Sequence, residues 1–360
     1  MNKAEAAIQH LCSQGFDSPL MMPRLLSLLH GYIPSFANVF FWFDEKGRIR
    51  DIYDENPESY AVLPTFLEEH YNKKEREVWC GIETSAMYHS AHNIDQLWTV
   101  DRKTLYMHDF YNDFLRQIGN HWGLHKPIWV NDKAKGLLLL KRTADDDNFS
   151  NEDTLKLERI SVHIEHAFSL QKYKTESFGK KAIEKGVLIV DTLGKVQNYT
   201  NKAERIMMLS QGEQNFNTYS QYTFSTLPPK LMALMKRLHS INSNDDALPS
   251  TEIIKNQWGK FKFSMYPLKA NSGDGSNCLY MLQIEHFKPL HIMLFDRVSQ
   301  YELTNRQSQI CMNIGLGKSY SNIAVNLGIM ESTVISHKKE IFRKLGVFDR
   351  HELSEKVLSK

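Results

Sequence analysis

Residues 303–353 read LTNRQSQICMNIGLGKSYSNIAVNLGIMESTVISHKKEIFRKLGVFDRHEL. The stretch spells four short helices with their punctuation. Thr304, with Gln307 three residues on, is a capping box that starts a helix carrying Ile310, Cys311 and Ile314 on its apolar side. Gly315 and Gly317 stop it. Ser319 caps a second helix, Tyr320 to Leu327, whose inner face is Ile323, Ala324 and Leu327. Gly328 ends that helix, because glycine enters the left-handed backbone region without steric cost. After a tight turn, Val334, His337, Ile341 and Leu345 recur at helical spacing and predict a third helix from about Glu331 to Leu345. Gly346 closes it, and Asp349 with Glu352 caps a last helix. The middle pair is a helix-turn-helix.

With Val334, His337, Ile341 and Leu345 turned inward, the third helix leaves Thr333, Ile335, Ser336, Lys338, Lys339, Phe342 and Arg343 pointing out. Hydroxyls and ammonium groups near the N-terminal end, with cations further along, suit a helix lying in a major groove and touching phosphates. The expected partner is double-stranded DNA.

The series Leu303-Thr304-x-Arg306, Ser319, Ile323-Ala324, Leu327, Ile329, Thr333-Val334, His337, Ile341, Lys344-Leu345-x-Val347 and Arg350-x-x-Leu353 resembles the LuxR-type (GerE-like) DNA-binding domain. The resemblance implies base-facing roles for Ile335, Ser336 and Lys339, and Thr333, Lys338 and Arg343 join the expected DNA-binding set from the outward face read above. It also implies homodimers paired through the last helix. The chain departs from the family's usual pattern at Gln307, Tyr320, Asn322 and Met330, where an acid, an Asn, a Glu and a Ser or Thr are common. Met330 forfeits an N-cap worth ~1 kcal/mol. Ile335 stands where relatives often carry Lys, and its apolar side chain suits a thymine methyl.

Outward from this stretch, 360 residues with 42% hydrophobic content allow two or three domains. Net charge is only +2, but from Tyr301 onward nine Lys/Arg face six Asp/Glu, leaving 35 basic against 36 acidic residues before it. Cys12, Cys80, Cys278 and Cys311 are scattered with no CxxC pair and read as reduced thiols. No run approaches the ~20 apolar residues of a membrane span, and the opening residues, interrupted by Glu5, Gln9 and His10, are not expected to be a signal peptide. A cytoplasmic protein, without membrane association, is expected.

Residues 1–173 read as an α/β unit: two amphipathic helices, a hairpin from Val39–Phe43 to Ile49–Tyr53 around Asp44–Gly47, and a helix over Leu63–Tyr71. A helical run follows near His108–Ile118, then strands Pro127–Val130 and Gly136–Lys141 joined by Asn131-Asp132, and an exit helix from Leu155 to about Tyr173. The element order resembles a GAF-type or PAS-like sensory domain. Residues 184–287 open with a strand Gly186–Asp191, a turn at Thr192–Gly194, a strand Lys195–Tyr199 and a helix Asn201–Leu209, and this opening resembles a PAS domain. Strands Trp258–Lys269 and Cys278–His286, joined across a loop Ala270–Asn277 containing Gly273-Asp274-Gly275, complete it, with a five-stranded sheet expected. Residues 288–300 form a linker, and 301–360 the helix-turn-helix domain. The fold class is α+β multidomain: two antiparallel-sheet sensory domains followed by four helices.

Other constellations carry less. Gly315–Ser319 mimics the end of a phosphate-binding loop, but Met312 stands where the motif needs its first glycine. His121 with His125, and His163 with His166, have metal-like spacing without a third ligand, so no metal or cofactor is expected. Asp145–Asp147 reads as a solvated run. Trp79, Tyr88, Trp98, Tyr106, Trp122 and Trp129 are the ligand-binding candidates for an apolar effector pocket, against the plainer reading of aromatic core. No acid/base pair or nucleophile with an evident partner argues for an enzyme. The expectation is a dimeric, DNA-binding transcription regulator responding to a small-molecule effector or partner. The alternatives are an acyl-homoserine lactone receptor and a non-catalytic interaction protein.

Overall fold

The computed structural model describes residues 3–170, 177–212, 225–241, 250–268 and 279–358. Two helices, α1 (Lys3–Cys12) and α2 (Ser18–Leu29), precede a five-stranded antiparallel sheet in the order β2-β1-β5-β4-β3. Its strands are β1 (Ala37–Phe43), β2 (Ile49–Asp54), β3 (His92–Asn93), β4 (Trp122–Val130) and β5 (Lys133–Arg142). β1 is buried at every position, as a run of Val, Phe and Trp predicts for a strand covered on both faces. Helices α1 and α2 cover one face together with α4 (Asn151–Ser169). The other face is covered by α3 (Glu58–Thr65) and the irregular turns between β2 and β4. Ser150 and Asp153 form the expected capping box at the start of α4, each side chain accepting from the other's backbone N–H.

A second five-stranded antiparallel sheet follows, in the order β7-β6-β10-β9-β8. It comprises β6 (Glu184–Val190), β7 (Val196–Tyr199), β8 (Ser250–Asn256), β9 (Gly259–Leu268) and β10 (Leu279–Phe287), with helices α5 (Asn201–Ser210) and α6 (Pro229–Ile241). Counted from its own first strand, this sheet has the same order as the first. The opening hairpins also share one device. Asp44 Oδ1 accepts from Lys46 N and Arg48 N, with Gly47 at φ 75°, and Asp191 Oδ1 accepts from Leu193 N and Lys195 N, with Gly194 at φ 77°. An Asp side chain that replaces the missing backbone partners and a Gly that turns left-handed are what such a loop requires. Past the second sheet run α7 (Leu290–Val298), α8 (Asn305–Gly315), α9 (Tyr320–Leu327), α10 (Glu331–Leu345) and α11 (Arg350–Leu358).

Several expectations are corrected. The helix expected at Leu63–Tyr71 begins earlier, as α3 from Glu58, and its last part, Phe66–His70, widens into a π turn beyond Pro64, which removes an amide from the α ladder. The run near His108–Ile118 likewise winds as a π helix over Phe110–Leu115. β4 starts at Trp122 and carries Pro127 inside it. β3 pairs only with His125 and Leu124, so Pro127 lies on a stretch of β4 whose outer edge has no strand partner among the described residues. Asn131 and Asp132 both have positive φ, 50° and 56°, the backbone of a tight two-residue hairpin turn. The exit helix ends at Ser169, and the expected loop at Ala270–Asn277 with its glycines lies outside the described residues.

The parts pack on one another through aromatic contacts. Trp42 of β1 meets Trp258 edge-on at 5.2 Å between ring centroids, and Tyr53 of β2 stacks on the same indole at 5.8 Å. Phe295 of α7 meets His10 of α1 at 5.2 Å and Phe16 at 6.0 Å, both edge-on.

Candidate nucleic-acid interface and buried cavity

The last four helices are held by local devices. Thr304 Oγ1 accepts from Gln307 N at 3.3 Å while Gln307 Oε1 accepts from Thr304 N at 3.1 Å. Ser319 Oγ accepts from Asn322 N at 3.2 Å. Gly328 and Gly346 end α9 and α10 in the left-handed region at φ 61° and 62°. Ile310, Ile314, Ile323, Val334, Ile341, Leu345, Leu353 and Val357 fill the core between them. Met330 occupies the N-cap of α10 with no side-chain hydrogen bond.

On α10 the side away from this core presents Ile335, Ser336, Lys339 and Arg343, all exposed, with Thr333 and Lys338 half-buried at its margin. Phe342, expected to point outward, is instead buried. Its ring and that of Tyr320 flank Lys338, whose Nζ lies 5.2 and 5.4 Å from the two centroids. An apolar ring on the edge of the helix gains more under the lysine than in water, and the ammonium gains two π faces. Tyr320, one of the departures from the family pattern, supplies one of those faces. A second departure also has a structural use. Gln307 is buried, donating from Nε2 to Glu340 Oε2 at 2.6 Å and accepting at Oε1 from Lys344 Nζ at 3.1 Å. A carboxylate at this position would repel Glu340, whereas an amide serves both neighbours. Arg297 of α7 donates to Val357 O at 2.8 Å, and Gln309 Nε2 donates to Ser13 O at 3.0 Å, tying the helices to the rest of the chain.

The first sheet encloses a separate cavity of about 50 Å³ between its face and the π turns, walled by Val39, Phe41, Tyr60, Phe66, Phe110 and Leu139. The volume exceeds that of one water and falls short of the ~150 Å³ in which a benzene sits. Among the described residues, three buried polar atoms on residues lining it have no partner: Trp79 Nε1, Asn120 Oδ1 and His125 Nε2. The proton positions on His125 follow from its neighbours. His92 Nδ1 lies 3.0 Å from Ser90 O and so carries hydrogen, which leaves His92 Nε2 to accept from Ser85 Oγ at 3.0 Å. Ser85 Oγ then accepts from His125 Nδ1 at 2.8 Å, and His125 Nε2 is a bare acceptor at the cavity wall. Burial, and then the neighbouring His92, push the His125 pKa well below its ordinary value, so the ring stays neutral. Nearby, Asp54 and Lys141 form a buried ion pair at 2.8 Å, with Ser59 Oγ 3.4 Å from the ammonium.

Of the six aromatic ligand candidates, Trp79 lines this cavity and Trp98 backs it, with indole centroids 6.0 Å apart. Tyr106 and Trp122 gather elsewhere, around Arg102, whose guanidinium carbon is 4.1 Å from the Trp122 centroid. Tyr88 and Trp129 sit on a third patch, where Trp129 Nε1 donates to Tyr88 O at 3.3 Å. Asn120 and His125 were not singled out as ligand residues. The spacing of His121 and His125 suits a shared metal only on a helix, and the chain runs there as β4 instead. Among the described residues no group of three or more His, Cys, Asp or Glu is arranged to hold a metal ion.

Residues 301–357 match the family model described as bacterial regulatory proteins, luxR family, and form a helix-turn-helix domain of that family. No curated protein matches the chain. Among solved structures, the Vibrio cholerae VqmA–ligand–DNA complex is 14% identical over 49% of this chain and 83% of that one, with a TM-score of 0.26. The phage VqmA–DPO complex is 15% identical over 49% and 83%, at 0.22, and the E. coli DhaR(N)–DhaL complex 12% identical over 78% and 86%, also at 0.22. Superpositions this loose carry no weight for fold or function.

Proposed function

We propose that the chain is a cytoplasmic transcription regulator that lays α10 in the major groove of double-stranded DNA, as a homodimer, under the control of a small-molecule effector bound by its N-terminal part. The observation that carries this reading is the single open face of α10, where Ile335, Ser336, Lys339 and Arg343 stand exposed on a helix whose other side is core. Ser336 and Lys339 offer a hydroxyl and an ammonium to base edges, Ile335 offers an apolar tip to a thymine methyl, and Thr333, Lys338 and Arg343 address phosphates. Selection of bound duplexes from a random pool tests it. The reading fails if the full-length protein enriches no sequence and its affinity does not change with salt.

Three functional regions divide the work: residues 1–173 and 184–287 as sensory domains and 301–360 as the DNA-binding domain, joined by 288–300. One copy of α10 reaches few base pairs, and two copies double the contacts and set the half-site spacing. The exposed face of α4 supplies a seam for pairing, since Leu155 and Val162 stand one heptad apart at 65% and 61% exposure. The effector site is the cavity beneath the first sheet. Its free acceptors at His125 and Asn120 and its donor at Trp79 suit a small, neutral, mainly apolar molecule with at least one N–H or O–H group. A ring-sized effector would have to push the π turns away from the sheet to enter. Among the described residues no helix is long and apolar enough to cross a membrane.

A further inference from the structure

A second pocket, of about 260 Å³, lies where α2 and β2, the second sheet and the start of α7 meet. Its apolar wall includes Leu20, Leu209, Ile292 and the stacked pair Tyr53 and Trp258. Its polar rim brings together Arg24 from α2, Arg205 from α5 and Lys288 from the approach to α7. Their carboxylate partners are fewer. Arg205 is paired with Glu184, while Arg24 and Lys288 share Asp296 at 2.6 and 3.7 Å. Among the described residues, the ion pairs at this rim set two carboxylates against three cations.

The donors are also incompletely used. Arg205 Nε is buried without a hydrogen-bond partner among the described residues, and the Arg24 Nε–H is close to Asp296 without being aimed at it. His286, buried on the same wall, places Nε2 2.9 Å from Trp258 O and faces Glu184 with Nδ1 at 3.8 Å. A buried Arg205 Nε–H with no acceptor among the described residues, beside an aromatic wall, defines what would fill the space. We propose that this junction binds a small organic monoanion, a carboxylate on an apolar or aromatic body, with its charge against Arg24, Arg205 and Lys288 and its body against Trp258. A carboxylate there accepts from donors that Glu184 and Asp296 leave idle. It also competes with Asp296 for Arg24, so occupancy acts on the helix that leads into the DNA-binding domain. The site is distinct from the cavity under the first sheet and does not depend on it.

Phenylacetate and its uncharged analogue phenylacetamide test the proposal on the full-length protein, with tryptophan fluorescence and thermal midpoint as readouts. Phenylacetate is expected to saturate and raise the midpoint, with the amide at least about tenfold weaker, the loss of one charge-assisted contact. Lys288→Gln should weaken phenylacetate about tenfold and Lys288→Arg restore it. Equal response to acid and amide overturns the proposal. So does absence of saturation at about 10 mM, where a site with millimolar Kd would be nine-tenths filled. Duplex binding by the same preparations is scored separately. Its loss with acid binding intact sinks the regulator reading alone, and the reverse sinks this pocket alone.

Discussion

Lys141 Nζ lies 2.8 Å from Asp54 Oδ2, both side chains closed off from water inside the first sheet, with Ser59 Oγ 3.4 Å from the ammonium. Each charge is tolerable only because of the other. Lys141→Met should therefore cost about 3–5 kcal/mol in urea denaturation, since Asp54 is left buried and uncompensated. The double variant Lys141→Met/Asp54→Leu should recover most of that loss. A double variant no more stable than the single would show that the pair itself, not the stranded charge, carries the energy.

Cations on α10 differ in what they touch. Lys339→Ala should weaken specific binding and alter base preference, because Lys339 is exposed at the centre of the open face. Arg343→Ala and Lys338→Ala should weaken all duplexes evenly and lower the slope of log affinity against log salt by about one each. Slopes equal to wild type in every variant would count against a phosphate role. Lys338→Ala should also lower stability slightly by uncovering Phe342 and Tyr320.

Met330 is 72% exposed at the N-cap of α10 and bonds no backbone amide. Met330→Ser should add about 1 kcal/mol to unfolding stability through a cap to one of the open N–H groups. No change in the denaturation midpoint would mean that those amides are already satisfied by water at no cost.

His291 on α7 lies edge-on to Phe16 at 6.4 Å. Burial, helped by the charge of Lys318, lowers its pKa from 6.5 to about 4. A depressed histidine contributes fully above the unfolded pKa and loses that contribution as pH falls toward the folded one, because the unfolded chain takes up the proton first. Stability should thus drop by about 3 kcal/mol from this group between pH 6.5 and 4. His291→Leu should remove that part, read as the difference between the two stability–pH curves. Parallel curves would rule it out.

The four C-terminal helices were legible because their signals are local: caps, left-handed glycines and a 3.6-residue apolar period all lie within a few residues of the features they fix. Phe342 was misplaced because its cover, Lys338 beneath Tyr320, comes partly from another helix. β8 escaped notice because it is an edge strand whose residues alternate between half-buried and exposed, with Ile253 facing out. α6 was passed over in a polar span, although Pro229 at its first position and the spacing of Leu231, Leu234, Met235 and Leu238 were available as signals. The cavity was beyond reach. His125, Trp79 and Asn120 meet only after β4 and the π turns are folded, and no spacing along the chain announces a hole.

Asp296 and Arg297 are consecutive on α7, yet the first is paired with Arg24 of α2 and the second grips the carbonyl of Val357 near the far end of the chain. Side chains one residue apart on a helix leave it about 100° apart, and nine residues span only about 14 Å, too short to flex internally. Any turn of such a strut about its own axis would pull on the N-terminal helices and on the final helix at once, like a crank, so a disturbance at either end would be felt as torque at the other.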